Sequence, residues 1–317
     1  MTELRSYYGQ PVIKEPVWTP EIPVYFFTGG LAGASAGLAY LSEVRGNEEL
    51  ARRAWAAALA GVGTSPLLLI SDLGVPSRFL NMLRMFKVTS PMSVGSWILS
   101  ASGAAIGVSA ASSLFGLFPR LARVTRPAAA LLGLPLSTYT AALVTNTSVP
   151  VWHEARGVLA FVFGSGAAAS AGAAAVAATP VAHGAPARRL AVGGAIAEIA
   201  LTELMERRLG EVGESYRTGV AGTLTRAGKG LLAAGGALIA ARAGRSRAAA
   251  AAGGGLLAAG ALCERFAVFR AGFQSASDPK YVVGPQRRRI EAGETRGGSR
   301  RAPRRPAEPV GSPATAD

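Results

Sequence analysis

Three polar positions in this sequence have the side chains and surroundings needed to move protons beside apolar helices. His153 and Glu154 are adjacent, Asp72 directly follows a long apolar run, and Glu198 stands alone in the middle of another. A histidine changes charge near neutral pH, and a neighbouring carboxylate can exchange a proton with it. A carboxylate within an apolar helix is costly unless it faces protein or water. These residues therefore predict proton exchange, with His153, Asp72 and Glu154 at a reaction site and Glu198 on a proton path.

Each of these residues also has a plain structural interpretation that the sequence leaves open. His153 is equally compatible with a loop at the membrane interface. Asp72 suits a cap of the following turn or an ion pair with Arg78. Glu198 needs no special role if its helix ends before it, and Glu203 can pair with Arg207 four residues later.

The composition excludes several classes of protein. Half of the 317 residues are hydrophobic and only 16% are charged, which is below the roughly 25% of a soluble domain. A single cysteine, Cys263, excludes an internal disulfide and cannot alone hold zinc or an iron–sulfur cluster. Two histidines, His153 and His183, lie near segment ends, so we expect no haem. The net charge is +14, and the basic residues that produce it lie between apolar segments and in the C-terminal tail. This distribution argues against nucleic-acid binding.

Apolar segments of membrane-spanning length recur along the chain. A bilayer core of about 30 Å takes roughly 20 apolar residues per helix. Eight such segments occur, at 22–42, 54–71, 94–117, 128–147, 157–178, 190–206, 227–242 and 248–268. The sequence therefore predicts an all-α, polytopic membrane helical bundle of about eight transmembrane helices in the cell membrane, with both termini on one side. The lysines and arginines of the short loops divide equally between the sides, and those after the last span favour cytoplasmic termini.

The remaining segments are polar and lie on the side of the termini. Residues 1–21 form a polar segment, 22–268 the transmembrane domain, 269–283 a segment after the last helix, and 284–317 a basic tail expected to be disordered. Between 72 and 93, apolar residues alternate with Arg78, Asn81, Arg84 and Lys87 at helical spacing, which predicts an amphipathic interfacial helix. Because aromatic and charged residues gather on this side, it is the expected docking face.

Four stretches resemble the NrfD/PsrC membrane subunits of polysulfide-reductase-like complexes. They are residues 7–36, residues 72–97 with DLG-x-P-x-RF and TSPMS-x-GSW, residues 146–155 with NTSVPVWHEA, and residues 264–286. Val75 departs from the family, which often has a basic residue there. The resemblance implies a haem-free subunit that exchanges electrons between quinone and an iron–sulfur partner, which serves a molybdopterin-type catalytic subunit. It further implies a polysulfide or thiosulfate reductase-like, or formate dehydrogenase-like, complex in which this chain is inactive alone.

A bound quinone needs an apolar slot, hydrogen-bond partners and proton-exchanging groups. Candidates for its binding are Trp18, Trp97, Tyr139, Asn146 and Arg78, each of which also suits packing or an interfacial anchor. The quinone would be menaquinone or ubiquinone. Two alternatives remain: a secondary transporter using Glu198, although residues 22–147 and 157–268 show no convincing repeat, and a purely structural membrane anchor.

Overall fold

The computed structural model describes residues 11–291 and 293, and within these residues every regular element is a helix. The α-helices are α1 (Glu21–Val44), α2 (Glu48–Asp72), α3 (Pro91–Phe115), α4 (Pro119–Thr145), α5 (Pro150–Glu154), α6 (Leu159–Ala178), α7 (Ala185–Arg208), α8 (Gly219–Arg242), α9 (Arg247–Ser277) and α10 (Lys280–Glu291). The 3₁₀ helices span Pro76–Leu83, Ala155–Gly157 and Val212–Tyr216.

The eight long helices coincide with the eight apolar segments, which confirms the predicted helical membrane bundle. Six of them, α1, α2, α3, α4, α6 and α9, are long and apolar enough to cross a membrane. The other two, α7 and α8, each contain 24 residues and are less apolar, and α7 carries seven charged side chains. The charged residues that are buried on α7 and α8 therefore need partners inside the protein, because lipid offers them none.

The helices α1, α6 and α9 form the centre of the bundle. In the most apolar 18-residue stretch of each helix, 67% of the residues are buried in α1, 67% in α6 and 56% in α9. The same fraction is only 33% in α2 and in α3. Small side chains allow the central helices to approach their neighbours closely. A Cβ atom added at Gly33 of α1 would collide with the Gly133 carbonyl of α4, and one at Gly172 of α6 would collide with Ala191 of α7.

Successive long helices run in alternating directions, so their connections lie on two opposite faces. The terminal face carries residues 11–20, 73–90, 146–158, 209–218 and 278–291, and the short-loop face carries residues 45–47, 116–118, 179–184 and 243–246. Contacts across each face agree with this division. On the terminal face Gln274 Nε2 donates to the Thr218 carbonyl at 3.0 Å, and on the short-loop face Asn47 Nδ2 donates to the His183 carbonyl at 2.9 Å.

The connection between α2 and α3 contains the predicted interfacial helix in a shorter form. Gly74 has a φ of 63°, and Pro76 occupies the first turn, so these residues end α2 and start the 3₁₀ helix Pro76–Leu83. None of its residues is buried, although Phe79 and Leu83 are partly covered. The helix is therefore 3₁₀ and spans fewer residues than the amphipathic pattern predicts.

Two predicted boundaries near the C-terminus are wrong. Helix α9 continues to Ser277, so most of the segment 269–283 is helical and does not follow the last long helix. Residues 284–291 belong to α10, where the sequence predicts disorder. Both nitrogens of the Arg288 fork donate to the carboxylate of Glu211 at 2.7 Å, and this ion pair holds α10 against the 209–218 connection. The rest of the basic tail, residue 292 and residues 294–317, lies outside the described residues.

Candidate functional site

An aromatic cluster lies between α1, α3 and α4 toward the terminal face. The rings of Tyr25 and Tyr139 meet edge to face with their centroids 6.5 Å apart. A Cβ atom at Gly95 of α3 would collide with the Tyr139 ring, so the ring lies flat on the α3 backbone. Tyr25 is 1% exposed, whereas Tyr139 is partly exposed. One predicted quinone-binding residue, Tyr139, therefore lies in a narrow interhelical space beside a second, deeply buried tyrosine.

Two polar atoms in this region have unused hydrogen-bonding capacity. The hydroxyl of Tyr25 and Oε2 of Glu21 are both buried without a hydrogen-bond partner among residues 11–291 and 293. The two residues are four apart on α1 and so lie on the same side of that helix. A buried hydroxyl left unpaired costs about 1–3 kcal/mol, so this arrangement favours a ligand with its own polar atoms.

Asp72 holds the start of α1 against the end of α2. Its Oδ1 accepts hydrogen bonds from the backbone nitrogen of Thr19 at 3.0 Å and from Thr19 Oγ1 at 2.6 Å. Arg78 is exposed, and the described residues contain no ion pair between it and Asp72. Asp72 therefore joins the segment before α1 to the end of α2, a contact that the sequence did not predict, and the described residues show no side-chain cap of the following turn by Asp72.

Trp18 belongs to a second aromatic group that joins the N-terminal segment to α5 and α9. Its ring stacks on Trp152 at 5.3 Å, and Trp152 Nε1 donates to the Val268 carbonyl at 2.7 Å. The close fit requires Gly272 of α9, because a Cβ atom there would overlap the Trp152 indole. Phe273 packs edge to face on Trp152 at 6.4 Å. Trp18 is therefore fixed by packing at the terminal face.

The other predicted site residues are exposed on the terminal face. His153 and Glu154 form the end of the short helix α5, and both are exposed. Asn146 is the exposed residue that follows α4. Trp97 is 41% exposed and meets Phe86 at 6.3 Å with the two rings perpendicular. The structure thus places these residues and Arg78 on one surface, and only Tyr139 enters the interior cluster.

A second candidate site is a buried charged cluster between α7, α8 and α9. Glu198 lies inside α7, which continues to Arg208, so the interpretation that the helix ends before Glu198 is wrong. Glu198 is 0% exposed, and its Oε1 lies 3.7 Å from Arg265 Nη2. The same Arg265 nitrogen donates to the Phe163 carbonyl at 3.0 Å, and the guanidinium lies 4.2 Å above the Phe163 ring. The mid-helix carboxylate therefore has an arginine partner.

The charged cluster continues from Arg265 toward the terminal face. Glu264 is buried beside Arg265, and its Oε1 accepts a hydrogen bond from Thr202 Oγ1 at 3.3 Å. One turn further along α7, the carboxylate of Glu206 lies 2.7 Å from Lys229 Nζ on α8. The buried groups therefore follow α7 from mid-membrane depth to its terminal-face end.

At that end, the cluster meets the 209–218 connection. Lys229 also pairs with Glu203, so the predicted pair between Glu203 and Arg207 is replaced by a contact between α7 and α8. Glu206 lies 3.6 Å from Arg217, whose side chain is 58% exposed. Burial raises the pKa of Tyr216, and the negative charges of Glu264 and Glu206 raise it further. Tyr216 is thus a neutral hydroxyl between the buried carboxylates and the surface.

Several members of these two sites escape selection from the sequence. Tyr25 looks like one of several aromatic residues near a membrane interface, and Glu21 like a first-turn acid of α1. Glu264 and Arg265 give a clearer signal, because adjacent opposite charges interrupt the last apolar segment. From the sequence, Lys229 is simply a basic residue near the start of a predicted span, and nothing in the sequence predicts its contact with α7.

The side chains at these two sites are of types that can donate and accept hydrogen bonds and protons. Within the described residues, no group of three or more His, Cys, Asp or Glu side chains is placed to hold a metal ion.

A family model described as polysulfide reductase matches residues 4–278, which include all the helices from α1 to α9. No curated protein matches the chain.

Proposed function

This chain belongs to the polysulfide reductase family of NrfD-type membrane proteins, and we propose that it is a quinone-reactive subunit of a respiratory oxidoreductase. In this proposal the chain exchanges electrons between membrane quinone and an iron–sulfur partner subunit, which serves a molybdopterin-type catalytic subunit. The family match supports a membrane subunit of such a complex. The unused buried hydroxyl of Tyr25 beside Tyr139 carries the finer proposal of a quinone site.

The residues around Tyr25 fit the needs of a quinone headgroup. A quinone supplies a couple that takes up two electrons and two protons and presents two carbonyl oxygens as acceptors. The Tyr25 hydroxyl can donate to one such oxygen, while Glu21 offers an unpaired buried oxygen on the same side of α1. Tyr139, resting on Gly95, supplies an apolar and aromatic wall. The residues therefore bind and orient the headgroup, and Glu21 Oε2 can accept a hydrogen bond from a hydroxyl of the reduced quinol.

The terminal face supplies the proposed docking surface for the iron–sulfur partner. Exposed apolar side chains, including Leu80 and Phe86, alternate there with the exposed Arg78, Arg84 and Lys87. An exposed apolar surface with a polar rim is typical of a protein interface. His153 and Glu154 are part of this surface, so we propose that they exchange protons under the docked partner, with Trp18 packed beside them.

We further propose that the buried cluster from Glu198 to Glu206 passes protons between the membrane interior and the terminal face. Glu198, Glu264 and Tyr216 each have buried oxygen atoms that lack a hydrogen-bond partner in the described part of the chain. Such atoms accommodate water molecules, which carry protons between fixed groups. The direction of electron flow and the sidedness of the face are independent of this proposal.

The first experiment purifies the complex from its native membrane in mild detergent and identifies what remains bound to the chain. Recovery of a multi-cysteine iron–sulfur protein with a molybdopterin-type subunit supports the proposal. Quinone-linked turnover is then compared for His153→Ala and Asp72→Asn in complexes that still assemble. Loss of turnover in each variant is expected. Normal turnover in both would exclude these two residues from the quinone reaction, and recovery of the chain alone would contradict the subunit role.

The proton proposal is tested with Glu198→Gln in the complex reconstituted into liposomes. Turnover is expected to fall at least about tenfold, because a positioned proton-transfer group contributes about 10²–10⁴-fold. Glu49→Gln is the control, since Glu49 lies on α2 outside the cluster and pairs with Arg53 near the short-loop face. Equal turnover and equal protons moved per electron in both variants would make Glu198 only the ion-pair partner of Arg265.

A further inference from the structure

A long crevice on the outside of the bundle has no part in the proposed electron or proton transfer. Its volume is 770 Å³, and it lies between α1, α4, α6 and α7. Small residues form its floor, namely Gly33, Gly37, Gly133, Gly164 and Ala168. At its edges Leu41 and Leu134 are 50% and 68% exposed. The crevice is therefore open on the surface that faces lipid.

The length of the crevice matches one leaflet of a bilayer. Its lining runs along α1 from Gly33, near the middle of the helix, to Arg45 and Asn47 at the short-loop face. At 1.5 Å per residue, the distance from Gly33 to Arg45 is about 18 Å. Half of a bilayer core is about 15 Å. The crevice thus has room for one extended acyl chain of the leaflet at the short-loop face.

The end of the crevice at the short-loop face is positively charged. Arg45 follows α1, Arg189 lies in the first turns of α7, and both line the same opening. Asn47 also lines this opening and joins the two loops by donating to the His183 carbonyl at 2.9 Å. Neither arginine has a carboxylate within ion-pair distance among residues 11–291 and 293.

Among the acidic residues near Arg45 in sequence, Glu48 is exposed and lies beyond ion-pair distance of both arginines, and the other two are engaged elsewhere. Glu43 lies 3.4 Å from Arg126 and accepts a hydrogen bond from Trp55, while Glu49 pairs with Arg53. Two unneutralised guanidinium groups at headgroup depth therefore select an anion from outside the protein.

We propose that the crevice binds an anionic phospholipid, with one acyl chain along the small residues and the phosphate at Arg45 and Arg189. An anionic lipid fits the crevice better than a second quinone does, because a neutral quinone headgroup leaves both guanidinium groups unpaired. The lipid joins α1 to α7 at the short-loop face, opposite the proposed docking surface. This inference does not rest on the proposed electron transfer.

The preference for an anionic headgroup is tested by native mass spectrometry of the purified full chain. The binding of phosphatidylglycerol, which is anionic, is compared with that of phosphatidylcholine, which has no net charge. Arg45→Gln combined with Arg189→Gln is expected to weaken phosphatidylglycerol binding by about 30-fold, which corresponds to about 1 kcal/mol per arginine. The matched control is Arg120→Gln combined with Arg123→Gln, a pair that lies on the same face outside the crevice and is expected to bind as the wild type does. Equal binding of the two lipids by the wild type, or equal loss in both double variants, would overturn the proposal.

The acyl-chain position is tested by filling the crevice. Gly37 lines the crevice and a Cβ atom there has no neighbour within 4 Å, so Gly37→Leu adds a side chain at the crevice without a collision at Cβ. Gly107→Leu on α3 is the control, because a Cβ atom there is equally free and Gly107 does not line the crevice. Loss of bound phosphatidylglycerol only in Gly37→Leu is expected. Unchanged retention in Gly37→Leu, or recovery of a quinone from the crevice, would refute the lipid.

Discussion

Replacing Tyr25 with phenylalanine separates the stability of the fold from the binding of a quinone. Tyr25 is 1% exposed, and its ring packs against Phe26 and Tyr139. Phenylalanine keeps the ring and these contacts. It removes only a hydroxyl that is buried without a hydrogen-bond partner among residues 11–291 and 293. The substitution therefore changes little except the hydroxyl's capacity to bind a ligand.

The two effects of Tyr25→Phe have opposite signs. An unpaired buried hydroxyl destabilises a fold by about 1–3 kcal/mol, so its removal is expected to leave the free energy of unfolding unchanged or to raise it. A ligand hydrogen bond contributes about 0.5–1.5 kcal/mol, so the KM for quinone is expected to rise by about 2- to 10-fold. If the Tyr25 hydroxyl binds the ligand and does not stabilise the fold, the variant is at least as stable as the wild type and binds quinone more weakly.

Thermal unfolding and quinone-linked turnover of the purified complex measure the two effects. Tyr40→Phe is the matched control, because Tyr40 lies on the same helix near the short-loop face and is expected to change neither KM nor kcat. A lower melting temperature for Tyr25→Phe with an unchanged KM would show that the hydroxyl stabilises the fold. That result would remove the main support for a quinone site between α1 and α4.

Three further substitutions test the architecture around the proposed sites. Asp72→Asn is expected to lower stability by about 1 kcal/mol, measured by thermal unfolding, because it weakens charge-assisted hydrogen bonds to the segment before α1; unchanged unfolding would contradict a stabilising role for the contact with Thr19. Gly95→Leu is expected to abolish quinone-linked turnover in an assembled complex by displacing Tyr139, and full activity would place the quinone elsewhere. Glu211→Gln is expected to speed tryptic cleavage in α10, because it breaks the ion pair with Arg288. The Arg288 hydrogen bonds lower the pKa of Glu211, so protection of wild-type α10 from hydrogen exchange, corrected for the intrinsic rate at each pH, is expected to persist above the ordinary carboxyl pKa and to disappear as pH falls through the lowered value; protection unchanged by acid would refute the pair's role.

The spans could be predicted from sequence because the bilayer sets both their length and their polarity. The same rule underestimates α9, whose apolar segment ends near Val268 while the helix continues to Ser277. Past that point, packing of Trp152 on Gly272 stabilises the helix inside the protein. Local hydropathy measures how readily a segment transfers from water into lipid, and it carries no information about such contacts between helices. The helical residues of α10 are missed for the same reason, since their ion pair with Glu211 is separated in sequence.

The sites were harder to predict because their members meet across helices. Residue type alone selects His153 and Glu154, which the structure leaves exposed, and passes over the buried Tyr25. Glu198 could be singled out because a lone carboxylate is unusual in an apolar helix. Its partner Arg265 depends on the register between α7 and α9, which no single sequence specifies.

Packing joins the two proposed sites through α6. Phe26, which follows Tyr25, lies 5.6 Å from Phe163 of α6 between ring centroids. Arg265 stacks on the Phe163 ring and donates to the Phe163 carbonyl, which ties the ring to the ion pair with Glu198. Gly166, one turn further along α6, leaves no room for a Cβ atom beside that pair. Packed side chains therefore run without a break from Tyr25 through Phe26 and Phe163 to the arginine that pairs with Glu198.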